Sequence, residues 1–396
     1  MEVVAQVIAS LVCSNPLLSP RSARMTPLDI LRAHEPGRRT RPEDCASRTP
    51  LPIDEGDRVG VVLFNMGGPA TLDDVEPFLY RLLMDPLFLD VPVGGRMRHW
   101  LATSIAYARA ESLRERYELI GGGSPVPRLA HEQAEVLQGQ LQARYGEPAG
   151  VEFRTYPAMR YGTPFPEEAA AAMAADGIDK VVLLPLYPQF SWTTSGSSFR
   201  DWETVAQQKF GNERPWEEYV VKNYHLNERY LASINSRIDE TLQHLDEDTI
   251  NKTHLIFSAH GTPILEVKSG DPYTREIEET MEAVMERRGR NTSYWIGYQS
   301  KVGPQKWTQP NTAELVERHM NYGISNFLMI PIAFVTDHIE TLYELGVELK
   351  EDLEEEGYHP SSLEVMKGIN DHPMVIDALG EEVLKRLSRL GPEVID

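Results

Sequence analysis

The sequence predicts an α/β protein made of two similar domains, in which helices cover parallel sheets and a cleft lies between the domains. Two observations lead to this prediction. From Val59 onwards, apolar runs of strand length alternate with amphipathic runs of helix length, which is typical of parallel sheets buried on both faces. The second half of the chain also repeats motifs of the first half.

Seven apolar runs have the length and composition of buried strands. These predicted strands cover residues 59–65, 151–156, 180–187, 219–224, 253–259, 293–299 and 326–334. Eight longer segments carry the 3.6-residue periodicity of amphipathic helices. These predicted helices cover residues 72–83, 128–145, 166–176, 227–245, 273–288, 312–322, 338–356 and 373–390.

The internal repeat consists of two pairs of similar segments. Residues 60–69 read GVVLFNMGGP, and residues 254–263 read HLIFSAHGTP. Residues 181–187 read VVLLPLY, and residues 327–333 read FLMIPIA. Each half therefore begins with a strand that ends in a turn of small residues, and later has an apolar strand interrupted by proline.

The repeat predicts two Rossmann-like domains, over residues 56–187 and 188–350. Residues 351–396 are expected to form a C-terminal segment whose helix packs back on the first domain. Ligands of open α/β sheets bind beyond the carboxyl ends of the strands. The four repeated segments deliver their polar residues at such ends, so we expect these residues to face one cleft.

The first 55 residues differ from the rest and are expected to be a disordered extension. Residues 21–48 contain seven arginines and no lysine, with frequent Pro and Ser. This composition matches an organellar transit peptide only in part, because Glu35, Glu43 and Asp44 interrupt it.

Composition excludes several classes of function. A net charge of −21 argues against binding nucleic acid, which requires a basic surface. No run of 18 apolar residues is present, so the sequence predicts no transmembrane helix. The two cysteines, Cys13 and Cys45, precede the first predicted strand. We therefore expect a reducing compartment, no disulfide framework in the folded body, no iron–sulfur cluster and no organic cofactor.

His260 is the first candidate for chemistry, because it directly follows a buried strand in the motif FSAHGTP. A single histidine at a strand end is more often structural or simply exposed. Here Ala259 and Gly261 leave room for a bulky ligand, and a second polar motif is expected at the same sheet edge.

The second motif is an acidic row, defined here as Glu340, Glu344 and Glu348. The spacing of four residues puts the row on one face of a helix. Most such rows are solvated faces. The apolar residues 332–335 lead directly into this helix, however, so its first turn should lie at a buried strand end, where carboxylates can pass protons or cations.

The segment 84–123 is an insertion in the first half. It is turn-rich and apolar, and it continues into a basic and aromatic helix start at residues 96–101. We expect an exposed apolar lip that contacts a membrane, with Arg96 and Arg98 near anionic lipid. The expected apolar lip residues are Leu87, Phe88, Leu89, Val91, Val93 and Trp100.

The ordered set of motifs resembles the ferrochelatase family from about residue 58 to the C-terminus. The set comprises NMGGP, IGGGSP, MRY, LYPQFS with TTSGSS, SAH, GDPY, QSKVGP and DHIETLYE. Family members often carry Ser-Leu-Pro after the histidine, whereas this chain carries Gly261, Thr262 and Pro263. That departure lies next to the most specific motif.

The resemblance implies a function and a site. It implies a chelatase-type fold and insertion of Fe²⁺ into protoporphyrin IX to form protohaem, with release of two protons. By resemblance, His260 is the catalytic histidine, Glu340 is its acidic partner, and these two with Glu344 contact the metal. The residues implied to line the porphyrin pocket or its entrance are Met66, Arg109, Tyr117, Ser124, Arg160, Tyr161, Trp307, Phe334 and His338.

Two alternatives stay open at this point. One is a chelatase for coproporphyrin or another tetrapyrrole and metal, and the other is a non-catalytic tetrapyrrole carrier. His260 can serve as proton acceptor or metal ligand, because imidazole does both. The expected location is cytoplasmic, with peripheral contact to the inner membrane, and organellar import stays an alternative.

Overall fold

The structure is a computed structural model that describes residues 50–88, 93–299 and 305–388. Within these residues the chain forms two four-stranded sheets, and every strand pair is parallel. Helices cover both sheets, which confirms the predicted α/β class.

The first sheet is built from strands with the spatial order β2-β1-β3-β4. They are β1 Arg58–Asn65, β2 Glu152–Met159, β3 Lys180–Pro185 and β4 Glu217–Val220. The helices of this part are α1 Val75–Met84, α2 Gly95–Leu119, α3 Val126–Leu141, α4 Glu147–Ala149, α5 Pro166–Asp176 and α6 Ser195–Phe210. A 3₁₀ turn, Leu72–Asp74, precedes α1, and a π-helical turn, Gln142–Gly146, extends α3.

The second sheet repeats this order as β6-β5-β7-β8. Its strands are β5 His254–His260, β6 Tyr294–Gln299, β7 Asn326–Pro331 and β8 Ser362–Val365. The remaining helices are α7 Glu228–Leu242, α8 Glu247–Lys252, α9 Ile264–Lys268, α10 Tyr273–Arg287, α11 Thr312–Asn321, a π-helix Glu340–Glu348, α12 Leu349–Glu355 and α13 Pro373–Leu384. The equal strand order confirms that the two halves are similar.

The division of the strands between the two sheets does not follow the predicted domain limits at residues 187 and 350. Strand β4 pairs with β3 in the first sheet, although it follows residue 187. Strand β8 pairs with β7 in the second sheet, although it follows residue 350. The predicted domain limits, as folding units, stay a prediction.

The expectation of a disordered extension over residues 1–55 is wrong at its end. Leu51 and Ile53 are buried, and the backbone of Leu51 hydrogen-bonds to Arg386 and Ser388 at 2.8 and 2.9 Å. Apolar side chains this close to the first strand cover the edge of the core. Residues 1–49 lie outside the described residues.

One apolar core joins the two sheets. It contains side chains from β1 and β3, from β5 and β7, and from the C-terminal helix α13. Helix α13 packs against α3 and α7, and Asp377 on α13 accepts hydrogen bonds from Gln140 and from Arg144. The C-terminal helix therefore contacts elements of both halves.

A substitution at Phe257 tests how much this shared core contributes to the free energy of unfolding. Its ring is fully buried in the central strand β5. Phe257→Ala should lower the free energy of unfolding by about 3–5 kcal/mol, because a cavity replaces a buried ring. Urea denaturation measures this loss. Tyr322→Ala is the control, since Tyr322 is 81% exposed and its loss should cost under about 0.5 kcal/mol.

Candidate active site

His260 is the last residue of β5 and its imidazole is partly exposed at the carboxyl edge of the second sheet. Its Nδ1 lies 2.6 Å from the Gly261 carbonyl oxygen. Since a carbonyl oxygen only accepts hydrogen bonds, Nδ1 carries the proton of the neutral ring. The basic Nε2 is thereby left to face Glu340, whose Oε1 lies 3.9 Å away.

The Glu340 carboxylate is an unusual neighbour for this imidazole. Burial raises the pKa of Glu340 to about 7, and repulsion by Glu344 adds to the rise, whereas His260 and a hydrogen bond from Gln299 oppose it. Its Oε2 is buried and has no hydrogen-bond partner among the described residues. A carboxyl group in this state can take up or release a proton near neutral pH.

His338, two residues before the start of the π-helix, is the third titratable residue of the cluster. Its Nδ1 accepts a hydrogen bond from the Glu340 backbone N–H at 3.0 Å, so Nε2 carries the proton of the neutral ring. That Nε2 is buried and has no hydrogen-bond partner among the described residues. Burial, and then the nearby His260, lower the pKa of His338 to about 3. The ring is therefore neutral at physiological pH.

Aromatic side chains surround the cluster. Phe334 packs on His338 with ring centres 3.7 Å apart, and Trp307 lies with its ring centre 6.2 Å from that of His260. Tyr117 is buried on α2, and its pKa is raised by burial and then by Glu340 and Glu344. Tyr117 comes from the first half, so both halves supply residues here.

The acidic row lies on a π-helix, Glu340–Glu348, rather than on an α-helix. In this geometry backbone N–H groups bond to the carbonyl five residues earlier, and such turns occur frequently at functional sites. A spacing of four residues is compatible with either helix, which is why sequence periodicity predicts only the helix. Glu348 forms a 2.7 Å ion pair with Arg116 on α2.

An open cavity of about 560 Å³ lies between α2 and the π-helix. We call it the outer cavity. Its walls include Glu344 and Glu348 on one side and Arg109 on the other. Arg109, predicted for the porphyrin pocket or its entrance, thus lines a space whose walls do not include His260 or Glu340.

The predicted metal ligands do not form a ready-made coordination sphere. Among residues 50–88, 93–299 and 305–388, no three His, Cys, Asp or Glu side chains are arranged to hold a metal ion. His260 and Glu340 form a pair, whereas the Glu344 carboxylate lies 3.4 Å from the Gln299 amide nitrogen and lines the outer cavity.

Arg160 and Tyr161 belong to a second polar cluster, at the end of β2. Both donate hydrogen bonds to Asp85 Oδ2 at 2.9 Å, and Ser197 donates to the same oxygen at 2.6 Å. Arg160 also lies 3.3 Å from Asp201, whose pKa is raised by burial to about 6 despite this neighbour. The guanidinium is thus already paired with carboxylates of the protein.

Asp85 was missed by sequence reasoning. It is buried, and burial alone would raise its pKa, but Arg160 and the hydrogen bonds from Ser197, Leu87 and Tyr161 lower the pKa below its usual range. It lies in a turn-rich segment without periodicity. Only the unusual Asp-Pro step after a helix could have drawn attention to it.

The other predicted pocket residues lie near the end of β1. Met66 follows this strand, and its carbonyl accepts a hydrogen bond from the Tyr161 N–H at 2.9 Å. Ser124 is buried against Gly68, where an added Cβ would lie 2.3 Å from the Ser124 hydroxyl oxygen. Only glycine therefore fits at position 68 beside this serine.

Two residues that were expected near the membrane, Val93 and Arg98, are buried. Leu87, Phe88 and Trp100 are half-buried, but Val93 and Arg98 are buried, so they cannot contact a membrane surface as expected. Arg98 lies in the first turn of α2, and Val93 precedes this helix by two residues. Leu89 and Val91 lie outside the described residues.

The comparisons with known proteins agree with this architecture. The ferrochelatase family model matches residues 58–387. A ferrochelatase of Synechococcus elongatus is 40% identical over 338 residues, which is 84% of this chain and 83% of that protein. A ferrochelatase of Gloeobacter violaceus is 38% identical over 330 residues, which is 83% of this chain and 98% of that protein.

A solved structure, SirB from Bacillus subtilis with Fe³⁺, is similar in fold, with a TM-score of 0.50 at 10% identity. The match covers 83% of this chain and 95% of that one. This likeness shows that the chain has the chelatase-type fold of two parallel sheets. On the extent of the sequence match, the chain belongs to the ferrochelatase family.

The buried neutral His338 predicts a pH dependence of stability. In the unfolded chain its pKa is about 6.5, so between pH 6.5 and 3 the unfolded state binds a proton that the folded state does not. The free energy of unfolding should therefore fall by about 1.4 kcal/mol per pH unit through this residue as pH drops below 6.

Urea unfolding at pH 7 and pH 4.5 tests this dependence. His338→Gln should show a shallower loss than the unsubstituted chain. His244→Gln, which changes an exposed histidine, should not alter the slope. Equal slopes for all three proteins would contradict the buried neutral state.

Proposed function

We propose that the protein inserts Fe²⁺ into protoporphyrin IX, forming protohaem and releasing two protons. The observation that carries the proposal is the pair of His260 and partly buried Glu340 at the carboxyl edge of the second sheet, in a chain of the ferrochelatase family. The reaction replaces two pyrrole N–H bonds by iron–nitrogen bonds, so two protons must be accepted and passed on.

His260 and Glu340 suit these two roles. The Nε2 lone pair of His260 accepts a proton, and Glu340, ionised in part near neutral pH, stabilises the imidazolium or accepts a proton in turn. Protons then leave along Glu344 and Glu348 into the outer cavity. The same carboxylates attract the incoming cation, since carboxylate and imidazole are acceptable ligands for ferrous iron.

The macrocycle is held by apolar and aromatic contacts. Met66, Trp307, Phe334 and Tyr117 form the walls in this proposal, and their contact energy offsets the bending of the ring that exposes its nitrogens. The neutral His338 provides a polar contact without adding charge. Ser124, Arg160 and Tyr161 support the opposite side, and Arg109 lies at the entrance.

We further propose that the folded body works without an iron–sulfur cluster or an organic cofactor, with iron as substrate. No cysteine follows Cys45, so a four-cysteine cluster has no ligands in this part of the sequence. Purified protein should be colourless apart from bound porphyrin or haem, and a cluster absorption band with stoichiometric sulfide would contradict the proposal.

An anaerobic absorbance assay tests the reaction itself. Purified protein with ferrous iron and protoporphyrin IX should convert the porphyrin spectrum to that of haem. Parallel reactions with coproporphyrin and with Co²⁺ establish the preferred substrates. Binding of porphyrin without any conversion would favour a carrier instead.

His260→Ala should abolish most turnover without disturbing the fold. Loss of a general base typically costs 10²–10⁴-fold in rate. Porphyrin binding, measured by fluorescence, and the melting curve should change little, because His260 is partly exposed between small neighbours. Glu340→Gln should slow turnover too, and Glu348→Gln less, because it lies further out.

His254→Ala is the matched control, because His254 lies at the opposite end of the same strand. It should retain activity. If His260→Ala keeps most of its activity, the assignment of the active centre is wrong.

Peripheral contact with a membrane, from the cytoplasmic side, is a further part of the proposal. Within the described residues no helix is long and apolar enough to span a bilayer. Protoporphyrin is apolar, and the half-buried Leu87 and Phe88 lie in the segment that leads to α2. Arg96 is exposed at the start of α2 and can meet anionic lipid.

Replacing Phe88 and Leu89 together by Ser tests the apolar lip. Co-sedimentation with vesicles containing anionic lipid should weaken, and the KM for protoporphyrin should rise, because apolar contact area is lost. Tyr322→Ser changes an exposed aromatic residue in the second half and should alter neither property. Unchanged vesicle binding and KM in the double variant would refute the lip.

A further inference from the structure

We infer that Asn370 is a positioning residue: it fixes the turn that carries His338 and Glu340 into the active site. The inference rests on the proposed function, because it assigns a role toward the same reaction. Asn370 lies between β8 and α13, outside every motif that sequence reasoning singled out.

The first observation is a reciprocal pair of hydrogen bonds between Asn370 and Asp337. The Asp337 backbone N–H donates to Asn370 Oδ1 at 2.8 Å, and Asn370 Nδ2 donates to Asp337 Oδ2 at 2.7 Å. Both residues are buried. A side-chain amide is required for this pairing, since one donor and one acceptor must face the same residue.

The backbone of Asn370 makes two further hydrogen bonds, one to the same turn and one to the first half of the protein. Its N–H donates to the Val335 carbonyl at 2.8 Å. Its carbonyl accepts from Gln133 Nε2 at 2.6 Å, and Gln133 is a fully buried residue of α3 in the first half. Asn370 thus ties the turn to both halves of the protein.

The backbone conformation of Asn370 is the second observation. Its φ is +50°, in the left-handed region that asparagine and glycine tolerate better than other residues. Such a conformation persists only when surrounding contacts determine it, and it occurs preferentially at functional sites. Here the contacts are the four hydrogen bonds just described.

A short chain of contacts leads from Asn370 to the catalytic side chains. Thr341 Oγ1 lies 3.3 Å from Asp337 Oδ1 and accepts the His338 backbone N–H at 3.0 Å. His338 Nδ1 in turn accepts the Glu340 N–H. Loss of the Asn370 side chain would therefore release the first turn of the π-helix, whereas the proposed porphyrin walls Met66, Tyr117 and Trp307 lie on other elements.

Asn370→Gly is the main test, because glycine keeps the positive φ and removes only the side-chain amide. We expect kcat for iron insertion to fall about 10- to 100-fold, the scale of a displaced catalytic group. The porphyrin KM, and the porphyrin affinity measured by fluorescence, should stay within about twofold of the unsubstituted values.

Asn227→Gly is the matched control. Asn227 is equally buried and hydrogen-bonded, but it caps α7 and contacts Glu381 and Glu382 on α13. It should lower the melting temperature to a similar degree without lowering kcat. An equal loss of kcat in both variants would mean that Asn370 has only a structural role, and it would overturn the inference.

A double-mutant cycle with His338→Ala provides the decisive readout. If Asn370 acts through this turn, Asn370→Gly should change kcat much less in the His338→Ala background than in the unsubstituted one. Additive losses would contradict the role. If the glycine variant does not fold, Asn370→Asp replaces it as the test. This substitution keeps the shape of the side chain but places its carboxylate against that of Asp337. It should likewise lower kcat and leave the porphyrin KM nearly unchanged.

The outcome also separates this inference from the proposed function. An unsubstituted protein without insertion activity overturns both. An active unsubstituted protein whose Asn370→Gly variant keeps its full kcat overturns the role of Asn370 alone.

Discussion

The contact between the partly buried Glu340 carboxylate and His260 is the interaction on which the rest of the site depends. A buried carboxylate is costly unless it is protonated or paired, and here it is neither fully paired nor distant from solvent. The surrounding side chains balance these states, because Glu344 opposes ionisation and Gln299 with His260 favours it. The pKa of Glu340 is thus raised to about 7, which suits a group that exchanges protons near neutral pH.

The neighbouring elements keep that balance by excluding other charges. His338 faces the pair as a neutral ring, and Tyr117 approaches it as a neutral phenol, because burial and nearby carboxylates disfavour its ionised form. Arg160 is held in a separate cluster by Asp85 and Asp201. Among the described residues, Arg109 and Arg116 line the outer cavity, whose walls do not include His260.

Much of this architecture could be predicted from the sequence, and the exceptions have physical reasons. His260 and Glu340 meet because both follow buried parallel strands, and periodicity reveals such strands. Helix α2 was missed beyond its first turn, because its buried face uses small alanines rather than large apolar residues. The π-helix leaves no mark in residue spacing. The roles of Asp85 and Asn370 depend on contacts far apart in sequence, which no local pattern encodes.

The identical strand order of the two sheets has a consequence for how this enzyme can change over time. In the internal repeat, Met66 occupies the place that His260 occupies in the other half. The second half thus presents a titratable imidazole at this position, and the first half presents an unreactive thioether. If the two halves arose by duplication of one half, they could diverge in this way. Residues at the strand ends of the first half could then change to fit a different ligand, while the second half keeps the residues that transfer protons.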